Sequence, residues 1–381
     1  MTDTRPHVGL NAHLLSGAAS YRSAGIHSYI AELLRRLPSA DAGLRYTAFA
    51  NRAASAHIKV MAVRSTWLPT AQPWARIVWE QAIQPLVAAR ERLDLLHGLA
   101  FVSPLAGRCP TIVTVHDLSF ALFPGLFRGA HAAYLRLFTR ISCRRAGRII
   151  AVSENTRADV IRLYGVPGER VEAVPHGVDA RFFPRPPNEI AEFRRTHSLA
   201  DHFILFVGTL EPRKNLVKLI EAFSNLRSRI PDLKLILAGG TGWYYAQVFA
   251  AIERLDLQDG VTWAGYVPAD ELPLWYNSAD VFAFPSRYEG FGMPLLEAMA
   301  CGTPVVTSTA SSLPEVAGEA ALAVQPDDAD ALASALHRAL TDGALRQELR
   351  AKGLARAATF TWEETARRTA AVYRHALRLW G

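Results

Sequence analysis

Two glutamates, Glu289 and Glu297, stand eight residues apart and bracket a stretch suited to close contact with a ligand: Gly290-Phe291-Gly292, Met293 and then Pro294. Proline fits the first turn of a helix and Gly302 fits its stop, so the spacing predicts a two-turn helix from Pro294 to Cys301. The backbone N–H groups of such a first turn, near Met293 to Leu296, form an anion site suited to a diphosphate. One carboxylate lies ahead of that site and one just inside it. Acceptor-only groups so placed can take hydroxyls at opposite ends of one ligand, a sugar at one end and a ribose at the other. As ordinary features, Glu297 would be a helix-dipole partner and Glu289 a loop acid. Neither role accounts for the glycines between them.

A second stretch, "GTLEPRKNL", places Gly208 and Thr209 ahead of Arg213 and Lys214 at the start of a helix. Two cations beside a helix N-terminus suit a phosphate, although a charged solvent-facing loop would read the same way. His116 and Asp117 end the apolar run TIVTVHD, and Asp117 is expected to fix the His116 ring. Gly17 and Gly25 bracket a loop after the first apolar run, and Gly25 would open the helix IHSYIAELLRRL. The pattern is not G-x-G-x-x-G, which counts against a nicotinamide or flavin enzyme. Cys109, Cys143 and Cys301 are far apart with no C-x-x-C pair, which argues against a disulfide framework or a zinc site and suits a reducing cytosol.

These residues need a scaffold, and the chain alternates short apolar runs with amphipathic segments. The runs VGLNAHL, LRYTAFA, LDLLHG, TIVTVHD, RIIAVS and VEAVPHG form one block; FILFVGT, LKLILAGG, VTWAGYV, VFAFPS, TPVVTS and AALAV form another. Runs this continuous read as parallel strands covered on both faces. The alternation predicts an α/β protein of two doubly wound domains, residues 1–183 and 184–361, parted near the cluster Pro184, Pro186 and Pro187. A last helix, about 362–381, is capped by Thr361 with Glu364 three residues on. Ligands of open parallel sheets sit at the carboxyl ends of the strands, which is where the polar residues above collect.

The length of 381 residues suits two or three domains, and no run of about 18 apolar residues marks a spanning helix. Residues 1–180 hold 21 Lys and Arg against 12 Asp and Glu, and the rest of the chain 21 against 23. The basic half is open to nucleic acid, anionic lipid or phosphorylated substrates, or is simply an Arg-rich surface. Arg136, Arg140 and Arg144, with Arg145 and Arg148, line one helix that can lie on an anionic membrane or be a solvated face. "WARIVWEQAIQPLV" reads equally as core or as an exposed acceptor-side patch.

The segment "SRYEGFGMPLLEAMACGTPVV" resembles the E-x7-E signature of the family 4 retaining glycosyltransferases, and "GTLEPRKNL" resembles their phosphate loop. "TIVTVHDLSF", "IIAVSENTRADV", "VPHGVDARFFP", "AGYVPADELPLWYNSADVFAFPS", "SSLPEVAGEAALAVQP" and "FTWEETA" follow the same family in order, so the likeness spans nearly the whole chain. It implies a GT-B fold: two Rossmann-like domains facing a cleft, with the C-terminal helix crossing back to the first. The first domain would bind the acceptor and the second the donor. By this resemblance Glu297 would hold the ribose, Glu289 the donor sugar's hydroxyls, and Arg213 and Lys214 the diphosphate. Gly290, Phe291 and Gly292 would give backbone contacts, Val267 and Pro268 would lie near the base, His116 would touch the sugar, and Gly25 would approach the phosphate. Two positions depart. Thr209 stands where some relatives have Arg, which leaves more of the charge to Arg213 and Lys214; His176 stands where many have Asn.

The resemblance implies retaining transfer of a hexose, with mannose from GDP-mannose as the nearest subgroup. The acceptor would be a glycan or lipid-linked molecule of cell-surface polysaccharide assembly. Same-face attack would use the leaving phosphate oxygen as base. No divalent metal and no other cofactor is expected, since Arg213, Lys214 and the helix N-terminus stabilise the leaving charge. No D-x-D ends a strand; Asp328-Ala329-Asp330 reads as a helix start. The expected location is the cytoplasm, including the inner face of the membrane. The rival readings are a GT-B sugar-nucleotide epimerase and a non-catalytic nucleotide-sugar sensor. Nucleic-acid binding finds no recognition motif.

Overall fold

The computed structural model describes residues 3–15, 24–126 and 129–380; Gly17 lies outside the described residues. The chain divides into two compact units, residues 1–177 with 361–381, and residues 178–360. The division falls at Gly177 and Val178, six residues ahead of the expected boundary at 183/184. Packing explains the difference. Phe182 is buried against Tyr276, and the Arg185 amide donates to Asn277 Oδ1, so the segment ahead of the prolines already belongs to the second unit.

The first unit holds seven parallel strands in the order β3-β2-β1-β4-β5-β6-β7. They are β1 His7–Asn11, β2 Arg45–Ala50, β3 Ala62–Ser65, β4 Leu95–Gly98, β5 Thr111–Val115, β6 Arg148–Ala151 and β7 Val171–Ala173. Register is set by burial on both faces: β1 is buried along its whole length and pairs with β2 and β4. The six runs read as strands in this half are all present. The edge strand β3, Ala62–Ser65, was not expected, because it is mostly exposed and lacks a continuous apolar run. The closing helix Trp362–Trp380 packs on the helix Ala24–Ala40 within this unit. Thr361 Oγ1 accepts from the Glu364 amide at 3.2 Å, the expected cap. Its Tyr373 hydroxyl reaches His97 Nδ1 at 2.6 Å, and His97 Nε2 reaches Thr114 Oγ1 at 2.8 Å, a polar chain through the core.

The second unit holds six parallel strands in the order β10-β9-β8-β11-β12-β13. They are β8 Phe203–Val207, β9 Lys234–Ala238, β10 Val261–Gly265, β11 Val281–Phe284, β12 Val305–Ser308 and β13 Ala321–Val324. From β8 the chain winds outward to β9 and β10 and then returns to place β11 on its other side. The crevice at the carboxyl ends of β8 and β11 is therefore the switch point where such sheets bind ligands. In the first unit the equivalent point lies between β1 and β4.

Candidate active site

Both loops at the β8/β11 switch point carry charge, and the fold presses them together. Gly208 leaves β8 with φ +152, and a Cβ on Gly239 would stand 2.0 Å from the Gly208 carbonyl oxygen, so only glycine allows this crossing. The chain then forms a short turn, Pro212–Lys214, ended by Asn215 in the left-handed region at φ 61. Asn215 Nδ2 donates to the Pro285 carbonyl, and the Arg287 amide donates to the Arg213 carbonyl at 2.8 Å, which clamps this turn to the loop after β11.

The clamp brings Arg213 and Lys214 onto Glu289. Arg213 Nη1 donates to Glu289 Oε2 at 2.8 Å, and Lys214 Nζ donates to Glu289 Oε1 at 2.6 Å. Glu211, also buried, lies 2.5 Å from Arg213 Nε. Two carboxylates and two cations thus form one enclosed network, and Lys214 Nζ also sits 4.9 Å over the Phe284 ring. Burial alone would raise the Glu289 carboxyl, but Lys214 and Arg213 outweigh it and hold it at about 2. Burial, with Arg213 beside it, pulls the Lys214 ammonium below its ordinary value.

Glu289 is held from behind as well. Ser311 Oγ and Ser312 Oγ donate to the Glu289 carbonyl at 2.6 and 3.0 Å, and Ser312 Oγ also reaches the Phe291 carbonyl at 2.8 Å. These bonds fix the turn through Gly290 and Phe291. Gly292 follows with φ 110 and opens the helix Met293–Ala300, one residue earlier than the spacing predicts. The amides of Leu295 and Leu296 already donate to the Gly292 carbonyl, and the Leu296 side chain is fully enclosed. Pro294 has no amide, so within the first turn the Met293 amide is the donor left for a ligand.

Glu297 stands one helical turn on, in a different setting. Tyr276 Oη, on the helix Leu272–Ser278, donates to Glu297 Oε2 at 2.9 Å. Burial raises this carboxyl to about 7, opposed by the Tyr276 hydroxyl and by Arg181. The helix that carries Tyr276 begins on the Pro268 carbonyl, which accepts the Leu272 amide; Val267 is buried and Pro268 exposed. Thr209 is partly buried beside the Leu210–Thr241 bridge.

Residues 23–182 match the family model described as Glycosyltransferase Family 4, and residues 188–356 match Glycosyl transferases group 1. An O-antigen chain mannosyltransferase B from Escherichia coli is 36% identical over 268 residues, 69% of this chain and 70% of that protein. The chain belongs to the family 4 glycosyltransferases. A GDP-mannose-dependent alpha-(1-6)-phosphatidylinositol monomannoside mannosyltransferase from Mycolicibacterium smegmatis is 32% identical over 263 residues, 64% of this chain and 65% of that protein. A sucrose-phosphate synthase from Thermosynechococcus elongatus shares the fold, with a TM-score of 0.78 at 23% identity over 98% of this chain and all of that one. The architecture of this glycosyltransferase is GT-B, with its C-terminal helix returned to the first unit.

In the first unit of this glycosyltransferase, His116 follows β5 and is buried. Its Nε2 donates to the Leu99 carbonyl at 2.9 Å, so the other ring nitrogen is the acceptor. Burial lowers its pKa to about 4, so the ring is neutral near pH 7. The expectation that Asp117 orients this ring is corrected: Asp117 Oδ1 accepts from the Ser119 amide and hydroxyl at 2.9 and 2.6 Å, capping the next turn. The ring rests instead against Tyr29, Phe101 and His176. The His176 ring also lies tilted against Trp362 with centroids 5.5 Å apart, and a Cβ on Gly177 would meet the Trp362 amide nitrogen at 2.2 Å, so the departure at His176 serves packing with the closing helix. Gly25 is exposed in the first turn of the helix Ala24–Ala40, with open space around it. Of the Arg series, Arg144 Nε donates to the Tyr164 carbonyl and Arg148 sits on β6, off the helix Ala130–Arg145.

Glu211, Tyr276, Ser311 and Ser312 were not singled out from the sequence. Glu211 had a readable signal, an acid two residues before Arg213. The serines open the family-like segment "SSLPEVAGEAALAVQP", but their contacts were not readable, because their partners are carbonyls of a loop 21 to 23 residues away.

Proposed function

We propose that this glycosyltransferase is a retaining, metal-independent mannosyltransferase. It takes mannose from GDP-mannose to a hydroxyl of a glycan or lipid-linked acceptor in cell-surface polysaccharide assembly. The observation that carries the reading is the enclosed network of Glu211, Arg213, Lys214 and Glu289 at the β8/β11 switch point. As the glycosidic bond breaks, negative charge builds on the leaving diphosphate. Arg213 and Lys214, with the Met293 amide and backbone at Gly290 to Gly292, meet that charge. A low-dielectric setting strengthens their effect, and they supply the role a divalent metal would otherwise fill. Glu289 shifts its acceptor oxygens to the sugar hydroxyls as the diphosphate takes its cations. Glu297 accepts from the ribose hydroxyls, and the base lies by Val267 and Pro268. His116, a neutral ring, hydrogen-bonds the transferred sugar. The acceptor hydroxyl attacks from the leaving-group face and gives its proton to the departing phosphate oxygen, so the anomeric configuration is kept.

The mannosyltransferase relatives named above support the choice of sugar, and the GDP-mannose-dependent one supports the base. The exposed Arg140 and Arg145 on the helix Ala130–Arg145 support a site at an anionic membrane face. No helix among the described residues is long and apolar enough to cross a membrane.

Hydrolysis of UDP-, GDP- and ADP-sugars by the chain, with and without EDTA, tests the donor and the metal. GDP-mannose is expected to turn over fastest and EDTA to change nothing. NMR of the transferred product tests the stereochemistry, and an inverted linkage would overturn the mechanism. Sedimentation with liposomes is expected to rise with anionic lipid; equal sedimentation with neutral vesicles would remove the membrane contact.

A further inference from the structure

The second unit gathers its large exposed apolar side chains in one place, and those gathered there are all aromatic. The loop after β9 carries Trp243, Tyr244 and Tyr245; the edge strand β10 carries Trp263, and Tyr266 follows its end. Each is between 39% and 47% exposed, and of the large apolar side chains that this unit leaves exposed only Phe183 lies elsewhere. Phe249 ties the two groups together, with its ring centroid 6.1 Å from Tyr245 and 5.6 Å from Trp263. Trp263 Nε1 donates to the Gly239 carbonyl at 2.9 Å, and the Gly239 amide donates to the Gly265 carbonyl at 2.6 Å, which fixes the β9 loop to the end of β10. Two irregularities shape the patch. The β10 ladder skips a residue between Trp263 and Gly265, a bulge of the kind that re-aims side chains at sheet edges and beside functional sites. Tyr244 sits in the left-handed region at φ 60, where a residue other than glycine is strained.

The composition of the patch narrows what it takes. Residues 241–253 and 261–271 hold no Lys or Arg and three acids, Glu253, Asp270 and Glu271. An anionic membrane or a nucleic acid needs cations at its contact. Protein interfaces enrich Arg and Met along with aromatic residues, and these segments hold neither. The rings are instead interleaved with the exposed hydroxyl of Thr262 and amide of Gln247. An aromatic face carries negative potential. It attracts the polarised C–H groups on one face of a pyranose, while the sugar's hydroxyls turn to polar neighbours. Beside Tyr244 opens a cavity of about 230 Å³, lined also by Gln247, Val248 and Pro212. Its charged members are already paired, Glu211 with Arg213, Lys218 with Glu221 and Arg287 with Asp327, so it too suits an uncharged ligand.

We propose that Trp243, Tyr245 and Trp263, with Tyr244 and Tyr266 at the margins, form a platform that holds a neutral oligosaccharide by its ring faces, outside the charged donor site of the same unit. This rests on the glycosyltransfer reading above and adds to it a second hold on the saccharide chain being built. A chain held at two places leaves the enzyme more slowly than one held at its reacting end alone.

The test measures binding without turnover. α-Mannohexaose and GDP are titrated separately into the wild-type chain, Trp243→Ala, Trp243→Phe and Trp67→Ala, followed by saturation-transfer NMR and calorimetry. Trp67, 85% exposed in the first unit, is the control for losing a surface ring elsewhere. Trp243→Ala is expected to weaken the hexaose about fivefold, the scale of one aromatic contact, and Trp243→Phe, which keeps a ring, less than about twofold. Trp67→Ala should bind the hexaose as the wild type does, and all four chains should bind GDP alike. Circular dichroism and GDP binding report that the variants are folded. Hexaose bound equally by the wild type and Trp243→Ala is bound elsewhere and overturns the proposal. So does a wild-type chain that binds GDP but no hexaose. Sedimentation velocity and vesicles of phosphatidylglycerol and phosphatidylethanolamine test other occupants. A dimer lost in Trp243→Ala would give the face to a second copy, and vesicle binding lost in that variant would give it to a membrane; either overturns the platform. A chain that binds the hexaose through Trp243 but does not bind GDP would instead overturn the donor reading and leave the platform standing.

Discussion

The carboxyl ends of the two sheets carry the same residue type in opposite electrical settings. At the β8/β11 point, Glu289 is buried with two cations and held at about 2. Around the β1 end, Glu80 is buried among neutral donors and raised to about 7 by burial, with the Arg76 charge opposing. The difference separates a ligand site from a structural one. Fixed, paired cations suit a diphosphate whose charge grows during reaction. Glu80 instead accepts from Asn11 Nδ2 and Tyr134 Oη, each at 3.2 Å, within its own unit.

The largest effect should come from breaking the charged side of this contrast. Lys214→Ala leaves Glu289 and Glu211 enclosed with one cation between them. Removing one partner of a buried pair costs about 3–5 kcal/mol, and losing one charge-stabilising donor costs about 10²–10³ in rate. Thermal melting and mannosyl transfer should fall together, whereas the exposed Arg145→Ala should leave both unchanged. A Lys214→Ala chain with wild-type turnover would remove this residue from the chemistry.

Much of this contrast was legible in advance, and the limits are instructive. Twelve strands were readable: the central ones because strands covered on both faces are continuous apolar runs, and the partly exposed edge strands β10 and β13 because their sequences stay apolar. The thirteenth, β3, is an edge strand that need not be apolar on either face. Glu289, Arg213 and Lys214 were expected to face a ligand because each follows a strand, but their mutual pairing was not readable. It depends on β8 and β11 being neighbours, which the order of elements alone does not fix. The burial of Glu80 was hidden for another reason. A 3.6-residue period assigns Trp79 and Glu80 to a regular helix face, and a π-helical turn at Trp79–Ile83 changes that assignment. The segment "WARIVWEQAIQPLV" is therefore neither plain core nor plain surface: Trp79 and Glu80 are buried while Trp74 and Val78 stay exposed.

The next effect sharpens the comparison through pH. Glu80 has its folded pKa raised from 4.5, so the stability tied to its proton is complete below 4.5 and is lost as pH rises through about 7. Glu289 is depressed, so its contribution is present above 4.5 and is lost as pH falls through about 2. Melting curves of Glu80→Gln should therefore gain on the wild type between pH 5 and 8. A shift of this size corresponds to about 3 kcal/mol at most. Glu289→Gln should lie below the wild type throughout that range, since it leaves buried cations short of a partner. Parallel pH slopes for the two variants would remove the contrast.

Glu297 tests whether the contrast is between units or between settings. It lies in the charged unit, yet its carboxyl is raised to about 7, as Glu80 is. Each accepts from a tyrosine hydroxyl, Tyr276 or Tyr134, so their likeness follows from the neighbours and not from the sheet. Glu297→Gln keeps the shape and one acceptor oxygen, so GDP affinity at pH 8 should fall about tenfold, the equivalent of about 1.4 kcal/mol. The wild-type chain should lose GDP affinity as pH drops below 7 and the variant should not. A variant that binds GDP as the wild type does at pH 8 would release Glu297 from the ribose.

The smallest effect isolates the hydrogen bond that, together with Arg181, favours the charged form of Glu297. Tyr276 is fully buried and spends its hydroxyl on Glu297 Oε2 at 2.9 Å. That bond favours the charged carboxylate and so works against burial, which is the larger influence. Tyr276→Phe keeps the ring in place, packed on Phe182 and Phe282, and removes only the donor. Without it the Glu297 carboxyl moves further up, so fewer chains carry the charged form at neutral pH. GDP affinity at pH 7 should fall a few-fold, the equivalent of about 1 kcal/mol or less. The loss should fade as pH rises, because the charged form then returns. Titrations of GDP across pH 6 to 9 check the sign: the midpoint of the affinity profile moves to higher pH in Tyr276→Phe. An unmoved midpoint would mean that Tyr276 serves packing alone and that the ionisation of Glu297 does not govern the donor site.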